Sequence, residues 1–362
     1  MSDVLENKVE KQDVLSTMHA MGHEEVVFCQ DEATGLKAII AIHNTVLGPA
    51  LGGTRMWHYA STDEALTDVL RLSRGMTYKN AISGLNLGGG KAVIIGDARK
   101  DKSEALFRRF GKFVNSLNGK YITAEDVGVS PKEMTWVNME TNHVVGLPGK
   151  SGDPSPVTAY GVYMGMKACV KHQKGTDSLK GIKVAVQGVG HVGEYLVKHL
   201  TEEGAEVYIT DIFEDTLKRV SEKYKAKVVS PEDIYDVDMD VYAPCALGAT
   251  INNDTLNRLK CSIIAGAANN QLKDEKVHGK MVVEKGIIYA PDFMINAGGV
   301  INCYAEVKGL SADWAMNKAQ EIYNTTLDIL KRSADNNVPT YAIANQMAEE
   351  RIEAIGKVKL SY

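Results

Sequence analysis

A lysine follows three glycines and precedes a run of aliphatic residues in the stretch GLNLGGGKAVIIGD, Gly84 to Asp97. A phosphate-binding P-loop also carries a lysine after glycine, but it needs a glycine five residues before the Gly-Lys pair and a Ser or Thr after it. Leu85 and Ala92 hold those places. A P-loop also feeds a helix, whereas AVIIG is short, rich in β-branched residues and continuously apolar, the pattern of a buried strand. Lys91 is therefore predicted at the entrance to a strand, on backbone that glycine allows a small molecule to approach closely. A solvated lysine on a surface turn would have the same local sequence.

The second group with chemical meaning is GVGHVG, in which Gly188, Gly190 and Gly193 match the G-x-G-x-x-G pattern. Such turns are common, and the context gives this one its weight. KVAVQ precedes it, the helix-like VGEYLVKHL follows, and Asp211 ends the next strand-like run, EVYITD. In that arrangement a helix N-terminus holds a pyrophosphate and the acid bonds the adenine-side ribose hydroxyls. A carboxylate repels a 2′-phosphate, and the residues after Asp211, IFED, add acid rather than Arg or Lys. NAD is thus preferred over NADP.

These groups need elements to position them. VVFCQDEATGLKAIIAIH (Val26 to His43) reads as two strands around a turn at Asp31 to Gly35. STDEALTDVLRLSRGMTYKN opens with the capping-box spacing Ser61 and Glu64, and carries apolar Ala65, Val69, Leu72 and Met76 at helical period. Lys79 falls at the end of that helix, where a cation complements the helix dipole by up to about 1 kcal/mol, a sufficient structural reason for a lysine. A further helix is predicted over Lys102 to Leu117, then the strand-like YITAED. The breaker cluster GLPGKSGDPSP (Gly146 to Pro156) marks a domain boundary. Beyond it KVAVQGVG, EVYITD, DVYAPCA, SIIAGAAN and GIIYAPD alternate with polar helical stretches, the pattern of a doubly wound parallel sheet. Long amphipathic helices run from Ser311 to about Lys357.

The fold class predicted is α/β with two domains: an N-terminal α/β substrate domain over 1–147 and a Rossmann-type dinucleotide-binding domain over 148–335. A C-terminal helical segment, 336–362, is expected to return to the first domain. A chain of 362 residues suffices for two cores. Its 44% hydrophobic and 24% charged content is ordinary for a globular protein. A net charge of −5 without any Lys/Arg block argues against nucleic acid or an acidic membrane surface as partner. The absence of an apolar run near the roughly 20 residues of a membrane span, with a charged start MSDVLENKVEKQDVL, points to a cytoplasmic protein. Five scattered cysteines without C-x-x-C suit reduced thiols, and no metal is expected, although His19 and His23, alone among the nine histidines, have the H-x-x-x-H spacing.

Taken together, GPALGGTRMW (Gly48 to Trp57), RGMTYKNA (Arg74 to Ala81), LNLGGGKAVIIGD (Leu85 to Asp97), ITAEDVG (Ile122 to Gly128), DPSPVTAYGVY (Asp153 to Tyr163), GVGHVG, APCALGA (Ala243 to Ala249), AGAANNQL (Ala265 to Leu272) and NAGGVIN (Asn296 to Asn302) resemble the glutamate/leucine/phenylalanine/valine dehydrogenases. The resemblance runs from about Val26 to Arg351. It implies reversible, NAD-dependent oxidative deamination of an L-amino acid to a 2-oxo acid, ammonia and NADH, in a homo-oligomer, as a dimer or octamer. It assigns Lys79 to the substrate α-carboxylate, Lys91 to activating water, and Asp126 to exchanging protons with the nitrogen. It assigns Thr158 and Asn269 to the nicotinamide carboxamide and ribose region.

A free lysine titrates near pH 10.4, so a base working near neutrality must fall by about 2 to 3 pH units. Burial beside the second ammonium of Lys79 would push Lys91 down, and Asp126 would push back. Gly52, Gly53 and Gly88 to Gly90 would let backbone surround the substrate. Glutamate-specific members carry lysine before the Gly-Gly pair where this chain has Leu51, so a ligand for a side-chain carboxylate is missing. By the same resemblance Leu51, Ala124, Val300 and Cys303 line an apolar pocket for branched aliphatic amino acids. Cys303 stands where a valine is usual, Tyr304 replaces a small residue beside it, and His191 replaces a common asparagine. A phenylalanine or valine specificity is the second reading, and a non-catalytic dinucleotide-binding regulator the third. A regulator has no reason to keep Lys79, Lys91 and Asp126 together.

Overall fold

The computed structural model of the protein describes residues 13–150 and 152–359. The charged start of the chain and Ser151 in the breaker cluster lie outside the described residues. The chain forms two compact units. One takes the chain up to Thr77 together with Gly88–Val144; the other takes Tyr78–Leu87 together with Val145 onward.

The first unit is built on a six-stranded mixed sheet. Its strands are β1 (Glu25–Asp31), β2 (Leu36–Asn44), β3 (Ala50–Leu51), β4 (Thr54–Trp57), β5 (Gly88–Ile95) and β6 (Tyr121–Ile122), in the order β1-β2-β5-β3-β6 with β4 also on β5. The predicted β1–β2 hairpin is present, its turn closed by Asp31 Oδ2, which accepts from the Thr34 N–H at 3.0 Å. β2 is buried on both faces through Ile39, Ile40 and Ile42. This explains why it reads as an unbroken apolar run instead of an alternating one. The Thr62–Ile82 helix lays Ala65, Leu66, Val69 and Leu70 against Ile39, Ala41 and Val93. Glu104–Ser116, capped by the Ser103 hydroxyl at 3.2 Å from the Leu106 N–H, buries Leu106, Phe107, Phe110 and Val114.

One prediction needs correcting here. β5 begins at Gly88, so Lys91 lies inside the strand and not at its entrance. The glycines extend the strand because they pair closely: Gly88 with Ala50, Gly89 with Leu51 and Gly90 with Ile42. A Cβ at Gly52 would collide with the Gly90 carbonyl, and one at Gly89 with the backbone of Thr77. The protein's own chain thus fills the space beside these glycines, a packing requirement that the sequence pattern did not express.

The second unit carries a fully parallel sheet of β7 (Lys183–Gln187), β8 (Glu206–Thr210), β9 (Lys227–Val228), β10 (Val241–Pro244), β11 (Ile263–Ile264) and β12 (Ile288–Tyr289), in the order β12-β11-β10-β7-β8-β9. The chain reverses direction of travel across the sheet between β7 and β10. That is the topological switch point at which doubly wound sheets bind ligands, outside the carboxyl ends of the strands. The edge strand β9 escapes sequence reading, because both of its residues are exposed and so show no apolar pattern. The Gly298–Lys308 and Ile322–Asn336 helices each pack on the Ser155–Lys174 helix in this unit.

Candidate active site

In the first unit three strands bring a cluster of charges together. The N–H groups of Gly52, Thr54 and Met56 donate to the carbonyls of Ile122, Ala124 and Val127 at 3.2, 2.8 and 2.9 Å. β4 also runs parallel to β5, with Thr54 opposite Ala92 and Arg55 opposite Val93. This double pairing carries Asp126 to Lys91 and Arg55, although the three are far apart in sequence. Asp126 Oδ2 lies 3.0 Å from Lys91 Nζ and 3.0 Å from Arg55 Nε. Lys91 is only 6% exposed. Burial pushes the Asp126 carboxyl upward, but the charges of Lys91 and Arg55 outweigh it and hold the group below the usual carboxylate range. Arg55 Nη1 in turn donates to Asp68 Oδ2 at 3.0 Å, and the Tyr59 hydroxyl donates to the same oxygen at 2.7 Å. Sequence reasoning missed Arg55. Its only signal is membership of GPALGGTRMW, and nothing local links it to a carboxylate 71 residues away.

Leu51, Gly52 and Gly53 lie at β3 and the turn into β4, and Ala124 follows β6. Leu51 and Ala124 are buried. The Tyr121 hydroxyl donates to the Gly52 carbonyl at 2.6 Å, tying the Leu51 segment to the strand that leads to Asp126.

The second unit holds the remaining predicted residues. The three glycines of GVGHVG divide the work expected of a dinucleotide turn. Gly188 takes φ +99°, a left-handed conformation that disfavours any side chain; Gly190 faces open space; and Gly193 packs so closely on the Gly188 carbonyl that a Cβ would collide. The helix His191–Glu202 starts from Gly190 without a side-chain cap, which leaves its first-turn N–H groups for an anion. Asp211 follows β8 and is oriented by two backbone donors, Val189 N–H at 2.7 Å to Oδ2 and Phe213 N–H at 3.0 Å to Oδ1. These residues fit an adenine dinucleotide: an open glycine turn, uncapped helical donors and a fixed acid.

Lys79 sits in the last turn of Thr62–Ile82, and its Nζ donates to Asn269 Oδ1 at 3.4 Å. The same oxygen accepts from Asn296 Nδ2 at 2.7 Å, while Asn296 Nδ2 also reaches the Ala267 carbonyl at 3.1 Å. With its oxygen engaged by two donors, Asn269 is left to present its amide hydrogens. Asp292 is held by the Gln271 N–H at 2.9 Å, and burial pushes its carboxyl upward against the opposing charge of Lys79. Asn296 and Asp292 were not singled out from sequence. Thr158 lies in the first turns of Ser155–Lys174, its hydroxyl donating to the Pro154 carbonyl at 3.0 Å. Val300 and Cys303 lie on Gly298–Lys308, Val300 buried and Cys303 half-buried. Tyr304 packs its ring against Trp314, 5.6 Å between centroids.

A doubly wound dinucleotide unit in one chain with a buried lysine paired to an aspartate on a glycine-rich sheet defines an oxidoreductase of the nicotinamide-dependent dehydrogenase class. Residues 23–143 match the family model described as Glu/Leu/Phe/Val dehydrogenase, dimerisation domain, and residues 149–212 and 208–359 match Glutamate/Leucine/Phenylalanine/Valine dehydrogenase. The chain is 55% identical to leucine dehydrogenase of Thermoactinomyces intermedius, over 96% of each chain. It is 49% identical to phenylalanine dehydrogenase of Caldalkalibacillus thermarum over 91% of each. The crystal structure of L-tryptophan dehydrogenase from Nostoc punctiforme superposes with a TM-score of 0.86 at 44% identity, covering 95% of this chain and 99% of that one. The chain belongs to the glutamate/leucine/phenylalanine/valine dehydrogenase family and is an amino-acid dehydrogenase.

Proposed function

We propose that the protein catalyses NAD-dependent, reversible oxidative deamination of L-leucine and other branched aliphatic L-amino acids to 2-oxo acids and ammonia. The observation that carries the chemistry is the Lys91 ammonium, nearly inaccessible to solvent and 3.0 Å from the ionised Asp126. Lys91 and Asp126 are paired within direct hydrogen-bond reach, which sets the proposed water-activating base and the group that serves the nitrogen side by side. Lys79 supplies the ammonium for the α-carboxylate. Gly188, Gly190, Gly193 and Asp211 hold the dinucleotide, with Thr158 and Asn269 toward its nicotinamide end. Bound NAD supplies the acceptor for the α-hydrogen.

Specificity for leucine is supported by the 55% identity to leucine dehydrogenase and by Leu51, a buried aliphatic where a carboxylate substrate would need a cation. Leu51, Gly52, Gly53 and Ala124, with Val300 and Cys303, are proposed as its side-chain contacts. NAD is preferred because the fixed carboxylate of Asp211 repels a 2′-phosphate. The protein is proposed to act in the cytoplasm as a homo-oligomer, in keeping with the dimerisation description of the model matching 23–143. No helix among the described residues is long and apolar enough to cross a membrane. Lys91→Ala tests the assignment: kcat should fall by orders of magnitude with leucine binding partly kept, whereas Lys79→Ala should chiefly raise the KM for leucine. Near-normal kcat in Lys91→Ala refutes the role of Lys91.

A further inference from the structure

Lys79 and Lys91 are close in sequence, yet Tyr78–Leu87 is counted with the second unit and Gly88 onward with the first. Side chains of the C-terminal helix Thr340–Lys359 bond to Tyr78–Leu87. Arg351 Nη1 donates to the Leu85 carbonyl at 2.7 Å and to the Ala81 carbonyl at 3.1 Å, and its Nη2 donates to Asn86 Oδ1 at 2.9 Å. Two residues earlier on the same helix, Glu349 Oε1 accepts from the Tyr78 hydroxyl at 2.6 Å.

The turn that Arg351 grips is the C-terminal cap of the helix bearing Lys79. Gly84, at φ +70°, takes the left-handed position. Its N–H donates to the Ala81 carbonyl at 3.0 Å, and the Leu85 N–H donates to the Asn80 carbonyl at 3.1 Å, which together make a Schellman closure. The Lys79 carbonyl accepts from the Ser83 N–H at 3.2 Å and the Ser83 hydroxyl at 2.7 Å. One nitrogen of Arg351 therefore spans both sides of the cap, Ala81 within the helix and Leu85 beyond it. None of its three bonds goes to a carboxylate. Burial pushes this guanidinium below its ordinary value. A half-buried cation spent on two carbonyls and a carboxamide is a costly way merely to attach a helix, because its charge has been partly desolvated with no carboxylate bonded to it among the described residues. It is a good way to fix a helix end, since the planar fork of donors sets position and direction together.

We propose that Arg351 is a positioning residue for Lys79: by clamping Ala81, Leu85 and Asn86 it fixes the helix end from which the Lys79 ammonium is presented to the substrate carboxylate. The inference rests on the reading of Lys79 as carboxylate anchor. A misplacement of about 1 Å costs up to about a hundredfold in an oriented site. Loosening this turn should therefore be felt in substrate binding before it is felt in the chemical step.

The experiment is a double-mutant cycle of Lys79→Ala and Arg351→Met in the full-length protein, reading leucine KM, NAD KM and kcat. Arg351→Met should raise leucine KM roughly ten- to a hundredfold with NAD KM within about twofold of wild type. In the Lys79→Ala background the same change should raise leucine KM no further, because residues acting through one contact are non-additive. Arg351→Lys should recover part of the loss. Asn86→Ala, which removes only the acceptor of Nη2, carries the same test with a smaller rise in KM if Arg351→Met does not fold. A normal leucine KM in the Arg351 and Asn86 variants, with Lys79→Ala raising it, overturns the proposal while leaving the anchor intact. A normal leucine KM in Lys79→Ala overturns the anchor reading itself. Additive effects in the cycle overturn the claim that Arg351 acts through Lys79.

Discussion

Replacing Arg55 tests how the charge cluster is tuned. Arg55→Met keeps a side chain of similar reach and removes both of its ion pairs, leaving Lys91 as the cation 3.0 Å from Asp126. A hydrogen bond to a charged group contributes about 1.5–3 kcal/mol, so losing the Arg55 guanidinium, one of the two cations that hold the Asp126 carboxyl down, should raise it. Asp126 is below the usual carboxylate range in the intact protein. The ionised form, which the proposed exchange of protons with the substrate nitrogen requires, therefore persists to low pH, and without Arg55 it is lost at higher pH. The acidic limb of kcat/KM for leucine should move to higher pH, with the alkaline plateau largely kept. The assay is initial NADH formation at a series of pH values. Arg55→Lys should fall between the two, because an ammonium cannot fork to Asp126 and Asp68 as a guanidinium does. An unmoved acidic limb with a normal plateau refutes the reasoning.

Other outcomes follow from the same structure. Asp211→Ser combined with an arginine at Ile212 should improve NADP use relative to NAD, measured as the ratio of kcat/KM for the two cofactors; a wild type that already uses both equally contradicts the role of Asp211. Leu51→Lys places an ammonium at a site 2% exposed, and should lower leucine kcat/KM by more than about a hundredfold at several kcal/mol of desolvation; retained leucine activity in a folded variant places Leu51 outside the pocket. Burial, reinforced by the neighbouring charges of His23 and Arg74 and opposed by the bond to the Met21 carbonyl, lowers His43 to about 4, so its contribution to stability is complete above its unfolded value near 6.5 and is lost as the pH falls toward 4. That window is worth about 3 kcal/mol, and His43→Phe should flatten it in urea denaturation compared at pH 7 and 5; equal pH slopes in the two proteins contradict this.

What the sequence discloses follows the range over which each signal acts. The dinucleotide turn is legible because strand, glycines, helix and Asp211 lie within one short run, and each glycine has a local backbone reason. β5 is legible as a strand, but its start is not: whether glycines continue a strand depends on the partners Ala50, Leu51 and Ile42. Asp126 was reachable only through the family resemblance, and Arg55 not at all, because backbone bonds from Thr54 and Met56 to Ala124 and Val127 bring them together across 71 residues. Arg351 is more remote still, its acceptor at Ala81 lying 270 residues earlier on the C-terminal cap of another helix. Composition and periodicity report burial and element type; they do not report which carbonyl a distant guanidinium will find.

The most direct measurement of the central claim is kcat/KM for NADH production across L-leucine, isoleucine, valine, methionine, phenylalanine and glutamate. Leucine should lead. Valine and isoleucine should follow within about 10- to 200-fold, as a methylene in a fitted pocket allows. Glutamate should trail by at least about a thousandfold, because its γ-carboxylate would be desolvated against Leu51 without a partner. Faster turnover of phenylalanine or glutamate than of leucine would contradict the leucine reading, and no NADH from any of the six would contradict the enzyme itself.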